Sequence, residues 1–194
     1  MKTGIFLSIF LCVVLFSPLV SHAAAFSYAV WIPYWRDEAG TAEVMPNLKV
    51  IKEISPFSYE VRPDGTPVDK LKLDQNPWPG FLAMATSSGK KIIPTIAWID
   101  GDAILQTLAS TTARTQHIVE IVDVVRRNNF AGVDIDYENK KAETRLHFSK
   151  FLKELSAALH KNKKILSCSI ESRTPVSSRF VVVPKDLKYA NDFQ

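Results

Sequence analysis

One apolar segment of the chain carries three carboxylates at every second position. The segment runs Phe130-Ala-Gly-Val-Asp-Ile-Asp-Tyr-Glu138, and its acids are Asp134, Asp136 and Glu138. Side chains alternate between the two faces of a β-strand, so the three acids share one face and the apolar or aromatic residues between them take the other. Helix-like segments on both sides predict that this strand is covered on both faces. Acids in such a strand cost desolvation and mutual repulsion, which indicates a functional site.

Strand-like and helix-like segments alternate along the chain. Strands are predicted at 27–35, 50–59, 91–98, 130–137 and 164–171. Apolar residues at helical spacing predict two long helices and two shorter ones, around 118–125, 148–159, 78–87 and 103–110. This alternation predicts an α/β fold with a parallel sheet, either a barrel or an open doubly wound sheet. No glycine-rich phosphate loop follows a predicted strand, which counts against a nucleotide-binding open sheet.

The acidic row allows three interpretations from its residues alone. Crowded carboxylates cannot all ionise cheaply, so one of them is expected to hold a proton, and Glu138 at the open end is best placed to donate it. The row could instead hold a hard cation such as Mg²⁺ or Ca²⁺, although no cluster of further oxygen ligands is evident. The third interpretation is a merely polar strand face whose acids pair with Lys140 and Lys141.

The first 25 residues have the pattern of a secretory signal peptide. Lys2 is followed by an apolar run over residues 5–20 and by Ser21-His-Ala-Ala-Ala25, which offers small residues for cleavage. The run is close to the lower length limit for a membrane span, so a membrane anchor is the alternative. We expect residues 1–25 to be removed and residues 26–194 to be secreted or periplasmic, with no stable membrane anchor after cleavage.

The cysteine content and the net charge indicate which disulfides and which binding partners can be expected. Removal of Cys12 with the signal peptide leaves Cys168 alone, so no internal disulfide is expected and Cys168 is predicted to be a buried small hydrophobe rather than a nucleophile. The net charge of +4 is mild, and no basic run is interleaved with aromatic residues. Nucleic acid is therefore not an expected partner.

The acidic strand resembles the signature strand of a known family. Gly132-Val-Asp-Ile-Asp-Tyr-Glu138 is similar to the Asp-x-x-Asp-x-Asp-x-Glu motif of glycoside hydrolase family 18, the chitinase-like enzymes. The aromatic residues that end the first predicted strand and the segment Phe57-Ser-Tyr59 also resemble that family. The resemblance extends from about Ser27 to Thr174.

The resemblance implies a (β/α)₈ TIM barrel, of which this chain holds about five βα units. It implies hydrolysis of β-1,4 bonds in N-acetylglucosamine glycans, chitin-type or peptidoglycan, by a substrate-assisted retaining mechanism without cofactor or metal. Glu138 matches the general acid, Asp136 the residue that orients the acetamide, and Asp134 the deeper supporting acid. The substrate-binding residues predicted at or near strand ends are Tyr34, Tyr59, Trp98 and Glu171. The complete protein is expected to be a monomer.

Three departures from the family pattern accompany the match. Ala131 replaces the first aspartate of the motif, and Thr95-Ile-Ala-Trp98 stands where the family has Ser-x-Gly-Gly. Trp98 could be a sugar-stacking platform or a core residue. The sequence ends at Gln194, after five predicted strands, whereas a complete barrel needs about 250 residues.

These departures leave alternatives open. One is a carbohydrate-binding protein of the same fold without turnover, and another is an inactive fragment of an enzyme. A metal-dependent, deacetylase-like enzyme is a further alternative.

Overall fold

The computed structural model describes residues 27–170 as seven strands, five α-helices and three short 3₁₀ turns. The strands are β1 (Tyr28–Ile32), β2 (Ile51–Val61), β3 (Pro67–Asp69), β4 (Lys91–Ile92), β5 (Thr95–Trp98), β6 (Gly132–Tyr137) and β7 (Ile165–Cys168). The helices are α1 (Asp37–Val44), α2 (Trp78–Ser87), α3 (Gly101–Ala109), α4 (Thr111–Arg127) and α5 (Arg145–His160). The 3₁₀ turns are Tyr34–Arg36, Met45–Asn47 and Ala142–Thr144.

The sheet follows the order β1-β2-β5-β6-β7, and every neighbouring pair along this path is parallel. Short β4 adds to β2 in parallel, and β3 forms an antiparallel hairpin with β2. Helices lie in the connections between successive parallel strands, as expected for βα units. The predicted α/β class with a parallel sheet is confirmed, and within residues 27–170 the sheet is open.

The two long helices bury the apolar stripes that their sequences predict. In α4 the buried residues include Ile118, Ile121 and Val125, and in α5 they include Phe151 and Leu155. Both stripes pack into one core with the helix-facing side of the sheet. Burial of these faces, rather than intrinsic helix propensity, supplies most of the stability of such helices.

The two helices that follow β5, α3 and α4, are capped at their N-termini by side chains. The Asp100 carboxylate accepts hydrogen bonds from the amides of Asp102 and Ala103 and begins α3. The Ser110 hydroxyl accepts one from the amide of Ala113 and begins α4. Each cap satisfies backbone donors that have no partner within the helix.

The structure differs from the predicted elements in several places. The strand predicted at 91–98 is divided into β4 and β5 at Ile93 and Pro94, and proline has no amide to donate to a neighbouring strand. The first strand ends at Ile32, before Pro33, and the aromatic residues after it form the turn Tyr34–Arg36. Strand β3 and helix α1 are absent from the predicted elements.

Several predictions lie outside the described residues. They concern the signal peptide at 1–25 with Cys12, the end of the fifth predicted strand at Glu171, and the remainder of the chain to Gln194. Among residues 27–170, no helix combines the length and the apolar composition needed to cross a bilayer.

Gly132 allows β6 and β7 to approach closely. A Cβ atom at this position would lie 2.1 Å from the carbonyl oxygen of Ile165 and 2.7 Å from its carbonyl carbon. Because the obstacle is backbone, Gly132→Ala must push the two strands apart. We expect it to lower the free energy of unfolding by about 2–3 kcal/mol, at the upper end of overpacking effects. Urea denaturation followed by tryptophan fluorescence measures this change.

Gly80 provides the matched control for this substitution. It lies in α2 with no atom within 4 Å of a Cβ built on it. Gly80→Ala is expected to be neutral or to stabilise the protein by up to about 1 kcal/mol, since alanine favours the helix. Equal stability of Gly132→Ala and the wild type would contradict the close approach of β6 and β7.

Candidate active site

The three acids of β6 lie on one face at graded depth. Asp134 is 6% exposed, Asp136 is partly buried, and Glu138, directly after the strand, is exposed. Their strand neighbours Val133, Ile135 and Tyr137 are fully buried on the other side, against the helices. Among the described residues, no side chain pairs with the Glu138 carboxylate. The row therefore leads from a buried acid to a carboxyl group that a substrate can reach.

The buried carboxylate of Asp134 is held by hydroxyl groups from both neighbouring strand segments. The hydroxyl of Thr95 donates to Asp134 Oδ2 at 3.2 Å, and that of Ser169, just after β7, donates to the same oxygen at 3.1 Å. The indole N–H of Trp31 donates to Thr95 Oγ1 at 3.3 Å, which leaves the Thr95 proton directed to Asp134. These donors offset the desolvation of the buried acid.

A cluster of aromatic side chains lies at the carboxyl end of β1 and beside the middle of β2. The aromatic cluster consists of Trp31, Tyr34, Trp35 and Phe57, with ring centroids 4.8–6.4 Å apart in their contacts. Tyr34 is about half exposed, as are Trp31 and Trp35. Through the Trp31–Thr95–Asp134 hydrogen bonds the cluster is continuous with the acidic row. An exposed apolar cluster beside polar groups is typical of a binding site.

A β-bulge in β2 changes which residue faces the site. Phe57 pairs with Thr95, but the next pairs are Tyr59 with Ile96 and Glu60 with Ala97, so Ser58 is the extra residue. Tyr59 is consequently buried on the helix side, where its hydroxyl accepts a hydrogen bond from Asn128 Nδ2 at 3.4 Å. Burial raises its pKa. The structure thus removes Tyr59 from the substrate-facing position predicted for it.

Glu60 takes that position instead. It pairs with Ala97, which pairs with Asp136, so the two acids lie on one face with the small Ala97 between them. Two strand spacings place their backbones about 10 Å apart. The Glu60 carboxylate forms an ion pair with Lys70 at 3.2 Å, and both side chains are half exposed.

Trp98 also lies away from the acidic row. It pairs with Tyr137 in the sheet, is 2% exposed and contacts the rings of Tyr137 and His117. Of the two possibilities that the sequence left open, the structure shows the core residue. The alternation of β5 is the reason, because Thr95 and Ala97 occupy the acid-facing positions.

A buried histidine stands behind the acidic strand. His117 of α4 lies between the carbonyl oxygen of Gly65, 2.6 Å from Nδ1, and the hydroxyl of Tyr137, 2.5 Å from Nε2. Burial lowers the pKa of His117 to about 4, although the bond to Gly65 raises it. Burial raises the pKa of Tyr137 well above its usual value. Both groups are therefore uncharged at neutral pH.

The remaining predicted groups have structural contacts. Cys168 is partly buried, and burial, followed by the charge of Asp134, raises its pKa to about 12, so the thiol stays protonated and is a poor nucleophile. Lys141 pairs with Asp102, and Lys140 donates to the carbonyl of Tyr137 and lies over the Phe148 ring. In the described part of the chain, no three histidine, cysteine or acidic side chains are grouped as a metal site.

The structure brings Asp134, Asp136, Glu138 and Tyr34 to one end and one face of the sheet and separates Tyr59 and Trp98 from them. Glu171 lies outside the described residues. The sequence patterns did not indicate Trp31, Thr95, Ser169 and Glu60 as site residues. Trp31 and Thr95 could have been found by extending the two-residue period of their own strands, whereas Glu60 could not, because the bulge reverses the period.

A parallel sheet with a row of acids that extends to the carboxyl end of an interior strand is typical of the active sites of α/β barrel enzymes. The model of the family described as "Glycosyl hydrolases family 18" matches residues 68–193. The chain therefore belongs to glycosyl hydrolase family 18, as the resemblance of β6 predicted.

One curated relative and two solved structures illustrate the similarity. The chain is 27% identical over 128 residues to "Putative sporulation-specific glycosylase YdhD" of Bacillus subtilis, a match that covers 62% of this chain and 29% of the relative. A class V chitinase from Pseudomonas fluorescens superposes with a TM-score of 0.66 at 21% identity, over 75% of this chain and 45% of the other. The spore cortex-lytic enzyme SleL of Bacillus cereus gives 0.62 at 16% identity, over 74% and 35%.

These comparisons establish the fold. The chain spans less than half the length of each of these three proteins. The similarity to the two solved structures, at low identity, confirms the predicted barrel class, to which residues 27–170 contribute an open set of parallel strands.

Proposed function

We propose that the protein hydrolyses β-1,4 glycosidic bonds in N-acetylglucosamine-containing glycans, chitin-type or peptidoglycan. The observation that carries this proposal is the acidic row of β6, which extends from buried Asp134 to exposed Glu138. At Asp134 the row is joined to the exposed aromatic cluster through Thr95 and Trp31. Membership of glycosyl hydrolase family 18 supports it. Export, expected from residues 1–25, remains part of the proposal.

In the first step Glu138 acts as general acid. Its carboxyl proton passes to the glycosidic oxygen as the bond from that oxygen to the anomeric carbon breaks. The carbonyl oxygen of the sugar's own acetamide forms a new bond to the anomeric carbon, which gives a cyclic oxazolinium ion. Asp136, one step deeper on the same face, accepts the acetamide N–H and orients the group for attack.

In the second step water hydrolyses the oxazolinium ion. The Glu138 carboxylate, now without its proton, takes a proton from a water molecule that attacks the anomeric carbon and opens the ring of the intermediate. Two displacements at the same carbon retain its configuration. Asp134 supports Asp136 from below, and its bonds to Thr95 and Ser169 fix its orientation.

The aromatic cluster and Glu60 supply binding groups for neighbouring sugars. The rings of Trp31, Tyr34 and Trp35 present apolar faces on which the C–H surface of a pyranose can pack. Glu60, held by Lys70, offers acceptor oxygens to sugar hydroxyls about 10 Å from Asp136. Both groups lie at the carboxyl ends of strands, where barrel enzymes bind their substrates.

An assay of the full-length protein on two glycans tests this function. We expect it to release reducing ends from N-acetylglucosamine tetramers, from purified peptidoglycan, or from both, and to keep its rate in EDTA because no step of the mechanism uses a metal. The comparison of the two substrates identifies the preferred glycan.

Two outcomes would overturn the proposal. Binding of glycan without release of reducing ends would indicate a carbohydrate-binding protein of the same fold. Loss of activity in EDTA, with recovery on addition of metal, would indicate the metal-dependent alternative.

A further inference from the structure

Tyr137 lies between the two acids to which the proposed mechanism gives direct roles. Asp136 precedes it and Glu138 follows it, and both project to the face opposite its own side chain. The Tyr137 ring is fully buried between the sheet and the helices. Any movement of this ring is therefore transmitted through one peptide unit to each acid.

The hydrogen bonds of His117 fix the tyrosine hydroxyl. The carbonyl oxygen of Gly65 can only accept, so His117 Nδ1 carries the proton and donates across 2.6 Å. Because the buried ring is neutral, Nε2 has no proton and accepts the hydroxyl proton of Tyr137 across 2.5 Å. Each of the three polar groups then has a partner of the opposite kind, as buried polar groups require.

Aromatic rings hold the same pair from the sides. The Tyr137 ring stacks on Phe151 with centroids 5.6 Å apart and meets Trp98 edge-on at 5.5 Å. His117 stacks on Phe151 at 5.5 Å. Packing of this kind restricts the movement of the Tyr137 ring.

Strand β6 ends at Tyr137, directly before Glu138, the proposed general acid. The Glu138 amide donates to the Trp98 carbonyl at 2.8 Å, and the chain turns away at Asn139 with a φ of 54°. Tyr137 is thus the last side chain of β6 that is anchored in the core before the exposed Glu138.

We infer that His117 is a positioning residue for the reaction, which acts through Tyr137 to hold Asp136 and Glu138 at their spacing. This inference rests on the proposed function. His117 also binds Gly65 in the turn between β2 and β3, so one buried ring connects the acidic strand to the hairpin that carries Glu60 and Lys70. Placement of a catalytic group by such contacts affects the rate more than the binding of substrate.

Tyr137→Phe tests the inference with Tyr59→Phe as the matched control. Both substitutions remove one buried tyrosine hydroxyl from the helix-facing side of the sheet, but Tyr59 is bonded to Asn128 and has no neighbour in the acidic row. In the full-length protein we expect Tyr137→Phe to lower kcat roughly 10-fold with KM within about twofold. We also expect amide hydrogen exchange at Glu138 to become about tenfold faster. Tyr59→Phe should change neither kcat nor the amide exchange at Glu138.

The outcomes separate the inference from the proposed function. If Tyr137→Phe changes neither kcat nor the amide exchange at Glu138, the inference is overturned. Equal changes in Tyr137→Phe and Tyr59→Phe would also overturn it, because they would indicate a general effect on stability. A wild-type protein without any glycan hydrolysis would overturn the proposed function. In that case exchange at Glu138 still decides whether the His117–Tyr137 pair holds the end of the strand.

Discussion

Glu138→Gln is expected to lower kcat for glycan hydrolysis by roughly 10²–10⁴-fold, the usual contribution of a general acid. Glutamine keeps the shape of the side chain but has no carboxyl proton to give to the glycosidic oxygen and no carboxylate to activate water. The side chain is exposed at the end of β6, so the substitution should leave the fold and the affinity for glycan close to those of the wild type. Release of reducing ends measures kcat, and calorimetric titration with an N-acetylglucosamine oligomer measures binding.

Glu143→Gln is the control for this experiment. Glu143 is an exposed acid in the turn Ala142–Thr144, close in sequence to Glu138 but outside the acidic row. We expect its variant to retain wild-type kcat. Substantial hydrolysis by Glu138→Gln, under conditions in which the wild type is active, would remove Glu138 from the mechanism and leave glycan binding as the role of the row.

We expect the free energy of unfolding to fall at acidic pH because His117 is buried as a neutral ring. Its pKa is about 4 in the fold and 6.5 in the unfolded chain, so between these values the unfolded state binds more protons than the folded state. The stabilisation is therefore complete above pH 6.5 and is lost as the pH falls towards 4. Linkage predicts a loss of about 2 kcal/mol in the free energy of unfolding between pH 7 and pH 5, where carboxylates titrate little.

Urea denaturation at pH 7, 6 and 5 measures this loss. His117→Gln removes the titrating group, so its free energy of unfolding should be lower at pH 7 but change less with pH. His160→Gln removes an exposed histidine at the end of α5 and should keep the wild-type pH dependence. If the free energy of unfolding changes equally with pH in the wild type, His117→Gln and His160→Gln, then His117 does not cause the acid sensitivity.

Local patterns predicted the parts of the site that belong to one strand. The period of two in β6 placed Asp134, Asp136 and Glu138 on one face, and the burial of Val133 and Ile135 on the other face agrees with it. Helical periods predicted α4 and α5 for the same reason. In each case the side-chain direction follows from the backbone of a single element, which neighbouring residues in the sequence determine.

Other parts of the site depend on contacts between distant segments. The bulge at Ser58 exists only as a shift in register against β5, and it exchanges the places of Tyr59 and Glu60. The partners of Asp134 come from β5 and from the residue after β7, far along the chain on either side. Sequence periodicity within β2 or β6 carries no information about these pairings.

By itself, then, the sequence determined the family, the α/β class and the acid-bearing face of β6, because each follows from a motif or a period within one segment. Only the tertiary structure decided that Trp98 and Tyr59 belong to the core, that Glu60 faces the site and that His117 holds Tyr137. The physical reason is that strand register and the pairing of buried polar groups are settled between elements, when the sheet and its helices pack together.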